Sequence, residues 1–193
     1  MDGKPVETGQ DRVYILLNKP PGYTSTRFDR FAEHTVLDLV SGIGGYLYPV
    51  GRLDVDTSGL IILTNDGDLA ELLTHPSHEI EKTYAAVVPG RITARELTQL
   101  ESGVELDDGM TAPARARLIA YNAEGDRSTV ELKIHEGRKR QVKRMLAAIG
   151  YKVEKLTRTH LGHLDLRGVP EGEHRFLSKK EVAELRKLDE KSD

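Results

Sequence analysis

The chain has 193 residues, 38% hydrophobic and 31% charged, with 28 Lys and Arg against 31 Asp and Glu for a formal charge of −3. That size fits one domain or two small lobes sharing a core, and the apolar fraction is too high for a disordered chain. The absence of Cys excludes a disulfide scaffold, a thiol nucleophile and thiolate-bound zinc or iron–sulfur clusters, and it permits a reducing, cytoplasmic setting.

Residues 1–11 are polar and carry no apolar run, so neither a signal peptide nor a membrane anchor is expected there. The run 13–17 reads as a buried strand closed by the tight loop Asn18-Lys19-Pro20-Pro21-Gly22. A short helix is expected over 35–40, capped by Thr35 and ended by Gly42. Strands follow over 46–50 and 60–64, with 51–59 a loop between them. Asn65-Asp66-Gly67 turns the chain into an amphipathic helix over 68–73 that must stop before Pro76. Residues 82–88 read as a central strand, and Thr93 with Glu96 forms a capping-box pattern that opens a helix. Alternating apolar positions over 114–121 and 129–135 predict an antiparallel pair around 122–126. A helix over 141–149 places Val142, Met145, Leu146 and Ile149 on one face and stops at Gly150. Strands over 153–157 and 161–166 and a helix capped by Ser178 and Glu181 complete the chain. Strands and helices without regular βαβ alternation predict an α+β fold with a mixed, mostly antiparallel sheet.

The small net charge conceals a strong segregation. Residues 54–108 hold twelve acids against three bases, a net of −9, whereas residues 127–158 hold ten bases against three acids, a net of +7. A basic stripe of this kind suits a phosphate-binding footprint, although many such runs are merely solvated helix faces.

The loop Gly51-Arg52-Leu53-Asp54-Val55-Asp56-Thr57-Ser58-Gly59 is the densest piece of chemistry. A calcium loop would use Asp54, Asp56 and Ser58, but its twelfth position is Asn65 where a bidentate Glu is needed, and its flanks read as strands. A magnesium-dependent aspartyl phosphatase would use Asp54 and Asp56 as nucleophile and acid, yet it needs a downstream Lys and further acids at the same sheet edge. A purely structural loop, with acids and hydroxyls satisfying backbone groups, also fits. The pairs His75/His78 and His160/His163 have ligand-like spacing, but without Cys or an acid cluster no metal is expected.

A fourth reading rests on resemblance. Gly51-Arg52-Leu53-Asp54 followed by Thr57-Ser58-Gly59-Leu60 resembles the active-site signature of pseudouridine synthases, in particular the RsuA/RluB branch acting on ribosomal RNA. Leu17-Asn18-Lys19-Pro20-Pro21-Gly22, Leu63-Thr64-Asn65-Asp66-Gly67, Glu81-Lys82-Thr83-Tyr84 and Glu136-Gly137-Arg138-Lys139-Arg140-Gln141-Val142-Lys143-Arg144-Met145 agree in order, so the resemblance runs over about 13–188. It implies a pseudouridine synthase fold with two lobes around a catalytic cleft, no cofactor and an rRNA partner, most like the type acting on large-subunit RNA. A monomer is expected.

The chemistry suits these residue types. Isomerising uridine breaks the bond from base to ribose, turns the base and rejoins it through carbon, so a carboxylate can act as nucleophile or proton acceptor and leave unchanged. The family match makes Asp54 that group and leaves Asp56 a structural role. It places Tyr84 where the family tyrosine stacks on the base, and Lys143 where a basic residue pairs with the aspartate. A helical projection agrees, since Lys143 borders the Val142/Leu146 edge while Arg144 points away. Without a motif, Tyr84 would be ordinary strand packing.

The base must leave its stack to reach such a pocket, and Arg52 resembles the residue that fills the vacated space; alone, it would be a surface ion-pair partner. Arg138, Lys139, Arg140 and Arg144 are expected to meet RNA phosphates or solvent, and Leu161 and Leu164 to be core residues that also wall the uracil pocket. The expected organisation is a tail at 1–11, a catalytic domain at 12–188 and a tail at 189–193. Enzymes of this branch usually begin with a small RNA-binding module, although related enzymes that naturally lack it exist; Asp2-Gly3-Lys4-Pro5-Val6 resembles the module's last strand, which favours a catalytic fragment over a natural absence. A non-catalytic RNA-binding or ribosome-assembly factor on the same fold is the alternative.

Overall fold

The computed structural model describes residues 11–28 and 30–188. The expected tail residues 1–10, the module-like segment Asp2 to Val6 within them, and residues 189–193 lie outside the described residues.

The apolar runs form β1 (Tyr14–Lys19), β2 (Tyr48–Val50) and β3 (Thr57–Thr64). Every residue of β3 is buried, as expected of a central strand covered on both faces. Next come α1 (Gly67–Thr74), capped by the Asp66 carboxylate accepting from the Leu69 N–H, then β4 (Lys82–Pro89) and α2 (Ala94–Glu101). The short hairpin of β5 (Glu105–Leu106) and β6 (Gly109–Met110) precedes the long strands β7 (Arg115–Asn122) and β8 (Arg127–Ile134). The chain ends with α3 (Gln141–Ala148), β9 (Lys155–Leu161), β10 (Leu164–Asp165), β11 (His174–Phe176) and α4 (Lys179–Arg186). Both expected capping boxes, Thr93 with Glu96 and Ser178 with Glu181, are formed.

The main sheet runs β11-β1-β3-β9-β4-β8-β7, with β2 added to β3 and β10 to β9. All its pairs are antiparallel except β3 with β9, where Thr57 to Gly59 lie parallel to Leu156 to Arg158. This seam joins two halves. In the first, Leu16, Leu60 and Ile62 pack under α1 and α4 while Ile15, Leu17, Ile61 and Leu63 pack against the 36–53 segment. In the second, Ala86, Val88, Val130 and Leu132 pack with Leu100 of α2 and Met145 and Leu146 of α3. Gly59 makes the seam feasible. Its φ is +113°, and a Cβ there would stand 2.2 Å from the Arg158 carbonyl oxygen. The α+β class and the mixed, mostly antiparallel sheet are as the sequence predicts.

Three local expectations change. The loop expected over 51–59 ends at Asp56, because Thr57 to Gly59 already pair with β9 as part of β3. The helix over 35–40 is a single 3-10 turn, Asp38–Val40, because Thr35 is held in a bridge with Thr24 and gives its N–H to Asp38 Oδ2 at 2.7 Å. The strands expected at 153–157 and 161–166 are one strand, β9, that continues through the polar residues 158–160 and turns into β10 at Gly162, φ +56°. Arg158 does not interrupt β9 because its side chain is folded into the interior. Strand β11 and the β5–β6 hairpin carry too little apolar alternation to be read from sequence.

Candidate active site

The loop after β2 is fastened from three directions. The Ser25 hydroxyl donates to the Leu53 carbonyl at 2.8 Å and accepts the Leu53 N–H at 3.0 Å. The Gly22 N–H and the Lys19 ammonium both donate to the Val55 carbonyl, at 2.8 and 3.3 Å. The Asp54 carbonyl closes the turn by accepting from the Thr57 N–H at 3.0 Å. Leu53 is buried, which contributes about 1.5–3 kcal/mol to holding the loop down and leaves Asp54 facing outward. Lys19 is fully buried beneath this loop, and burial lowers its pKa to about 8 against the pull of Asp56 and Asp54.

Helix α3 supplies the opposing charge. Val142, Met145 and Leu146 face the core, and this rotation brings the Lys143 ammonium to 3.2 Å from Asp54 Oδ2 and 2.5 Å from Asp56 Oδ1. The Lys143 side chain is only 12% exposed, whereas the Asp54 and Asp56 side chains it meets are 37% and 69% exposed. The hydrogen bond from Lys143 holds the Asp56 carboxyl below its usual range. Asp56, which the sequence reading assigns a structural role, therefore shares the ammonium with Asp54. The start of α3 is fixed by Gln141, which donates to Glu136 Oε2 at 2.5 Å and accepts the Arg138 N–H at 3.2 Å.

A cleft of about 200 Å³ opens beside this pair along the β3–β9 seam. Asp54, Thr57, Tyr84, Arg158 and Leu161 line it, with Arg52, Arg138 and Arg140 also contributing. Tyr84 sits where β4 shifts register against β9 and packs at the border of two core clusters. Lys82 also lines the cleft; its ammonium donates to the Ile80 and Glu136 carbonyls at 3.2 and 3.4 Å, and burial lowers its pKa to about 8. Leu164, paired across the turn with Leu161, is buried in the core and is not among the lining residues.

The basic residues divide into two groups. Arg138 donates to the Gly109 and Met110 carbonyls at 2.9 and 2.6 Å and pairs with Glu136. Arg144 pairs with Asp108. Both therefore tether the β5–β6 hairpin. Arg52, Lys139 and Arg140 are exposed and form no ion pair among the described residues. The histidines have local partners: His75 Nδ1 meets Ser77 Oγ at 2.7 Å, His160 Nδ1 meets Thr159 Oγ1 at 2.9 Å, and His163 Nε2 lies 3.3 Å from Glu184. Among the described residues no group of three His, Asp or Glu is placed to hold a metal ion, and no helix is long and apolar enough to cross a membrane.

Sequence reasoning missed Lys19, Thr57, Lys82 and Arg158 at this site. Arg158 was hidden in the count of the basic stretch, and a Lys ending an apolar strand, as Lys19 does, was the visible signal for the buried ammonium.

Comparison with known proteins bears on the family and the fold. Residues 13–148 match a family model described as RNA pseudouridylate synthase. The chain is 46% identical over 179 residues to a Bacillus subtilis protein named ribosomal large subunit pseudouridine synthase B, covering 93% of this chain and 73% of that one. It is 38% identical over 171 residues to a Vibrio vulnificus protein named ribosomal small subunit pseudouridine synthase A, covering 88% and 72%. A crystal structure of a pseudouridylate synthase superposes with a TM-score of 0.79 at 34% identity, covering 91% of this chain and 74% of that one. A family match across most of the chain, relatives well above 30% identity and a shared fold give one conclusion: the chain belongs to the RNA pseudouridylate synthase family.

Proposed function

We propose that the protein converts a specific uridine of large-subunit ribosomal RNA to pseudouridine, using Asp54 as the catalytic carboxylate and no cofactor. The observation that carries this reading is the approach of Lys143 to Asp54 at 3.2 Å across 89 positions of sequence, at the edge of a cleft that Tyr84 lines. The ammonium's hydrogen bond holds the Asp54 carboxyl in place beside the cleft, where a carboxylate can serve as nucleophile or proton acceptor. Tyr84 offers a ring on which the extruded base stacks, and Leu161 gives the base an apolar wall. Arg52 stands at the rim, suited to fill the gap that base extrusion leaves in the RNA. Lys139 and Arg140 are exposed cations suited to the phosphates. The choice of large-subunit RNA rests on the name and 46% identity of the Bacillus subtilis relative against 38% for the small-subunit relative.

Residues 12–188 are taken as the catalytic unit, acting as a monomer in the cytoplasm. Incubating the protein with large- and small-subunit ribosomal RNA in the presence of a metal chelator, then mapping pseudouridine, tests the reading. It predicts a new pseudouridine at one large-subunit position, undiminished by the chelator. Modification confined to small-subunit RNA, or none in either, contradicts it.

A further inference from the structure

Two side-chain atoms among the described residues are buried without a hydrogen-bond partner: Thr57 Oγ1 and Arg158 Nη2. Thr57 is 2% exposed and Arg158 3% exposed, and both line the cleft beside Asp54 and Tyr84. They stand on either side of the parallel seam, Thr57 opposite Leu156 and Gly59 opposite Arg158. Arg158 is not loosely placed. Its Nε donates to the Leu60 carbonyl at 2.7 Å, which fixes the guanidinium plane, and its backbone lies opposite Tyr84 on β4. No carboxylate pairs with it among the described residues. A buried guanidinium N–H and a buried hydroxyl left unpaired are each costly, so their persistence at the wall of one cleft calls for an occupant with matching groups.

The polar edge of a uracil presents an acceptor, a donor and an acceptor: O2, N3–H and O4. A base lifted out of its stack into this cleft loses water along that edge and needs replacements. We propose that Arg158 Nη2 donates a hydrogen bond to a ring carbonyl oxygen of the uracil and that Thr57 Oγ1 accepts from its N3–H, so that the two residues form the base-recognition wall of the cleft. This rests on the reading of the protein as a pseudouridine synthase.

The guanidinium also acts on the chemistry. When the bond between ribose C1′ and N1 breaks, its electron pair stays with the base and spreads over N1, O2 and O4. A carbonyl oxygen carrying that charge binds Arg158 more tightly than the neutral ring does, which favours the charged species over bound substrate. The ring then uses a carbon electron pair to form the C5–C1′ bond. C5 gives up its proton and N1 takes one up, so no atom or electron is gained or lost overall.

The test is single-turnover pseudouridine formation by the wild-type protein, Thr57→Val and Arg158→Lys, with RNA affinity and thermal midpoint measured in parallel. Thr57→Val keeps the side-chain shape and removes a hydroxyl that has no partner in the folded protein. It is expected to leave the midpoint unchanged or raised, to leave the RNA dissociation constant within about twofold, and to slow the reaction about tenfold. Arg158→Lys is expected to slow it about 100-fold.

Replacing O2 or O4 of the target uridine by sulfur, a weaker acceptor, is expected to slow wild type at one of the two positions and to add no further loss in Arg158→Lys. Wild-type rates for Thr57→Val, or equal thio-effects in wild type and Arg158→Lys, overturn the proposal. An inactive wild-type protein instead overturns the synthase reading itself.

Discussion

At the scale of single residues, the site is organised around one ammonium that serves two carboxylates. Lys143 lies closer to Asp56 than to Asp54, at 2.5 against 3.2 Å, yet Asp56 is the more exposed of the two. Removing Asp56 leaves Lys143 the partner that the cleft needs, whereas removing Lys143 leaves two neighbouring carboxylates without their cation. Asp56→Asn is therefore expected to lower the single-turnover rate by less than about tenfold, and Lys143→Met by about 100-fold or more. Equal losses would show that Asp56 belongs to the reacting group.

Lys82 yields a second prediction. Its pKa is about 8 in the folded protein against an ordinary 10.5, so between those values the unfolded chain holds a proton that the folded chain has shed. Stability contributed through this group rises as pH rises across that window. Lys82→Met should thus be more stable than wild type near pH 7, with the difference shrinking towards pH 10.5 in denaturant titrations. Asp54, Tyr84 and Lys143 were legible in the sequence because each sits in a motif. Thr57 and Arg158 were not, because what marks them is the absence of a partner, which only the folded chain reveals.

At the scale of elements, caps and tethers decide how the site is framed. Glu181 closes the α4 capping box and also binds Arg175, which holds its carboxyl at about 2. A depressed carboxyl contributes stability that is present above its ordinary value of 4.5 and is lost as pH falls towards 2. Glu181→Gln is expected to cost about 1 kcal/mol at pH 7, and the difference from wild type should vanish through that acid window.

The hairpin tether gives a separate expectation. Asp108 neutralises Arg144 and reaches Arg138, so Asp108→Asn should release one or both cations and tighten RNA binding at low salt. Unchanged affinity would mean that the hairpin faces away from the RNA. The long amphipathic elements were readable from periodicity. The failures share a cause: Thr35 is claimed by a bridge to Thr24, and the polar stretch 158–160 stays in a strand because β4 pairs with it, Tyr84 opposite Arg158 and Thr83 opposite His160. Neither contact leaves a trace in local sequence.

At the scale of the whole molecule, a net charge of −3 hides stretches of −9 and +7, and the fold shows how much of the positive stretch is available. Of its ten bases, Arg127 pairs with Glu154, Lys133 with Glu81, Arg138 and Arg144 with Asp108, and Lys143 with Asp54 and Asp56, while Arg158 is buried. Lys139, Arg140, Lys152 and Lys155 remain exposed without an ion pair among the described residues. Ten phosphate contacts to single-stranded RNA would give a salt slope of about −7, and four give about −3. Affinity should therefore weaken with salt, with this stretch contributing nearer the smaller figure.

The central claim is that Asp54 carries the chemistry of a cleft assembled by the β3–β9 seam. Pseudouridine formation by wild type and by Asp54→Asn, measured at matched RNA occupancy, tests it most directly. The account predicts that Asp54→Asn binds RNA within about threefold of wild type yet forms no pseudouridine, a loss beyond about 1,000-fold. Pseudouridine formed by Asp54→Asn at a rate close to that of wild type would contradict it.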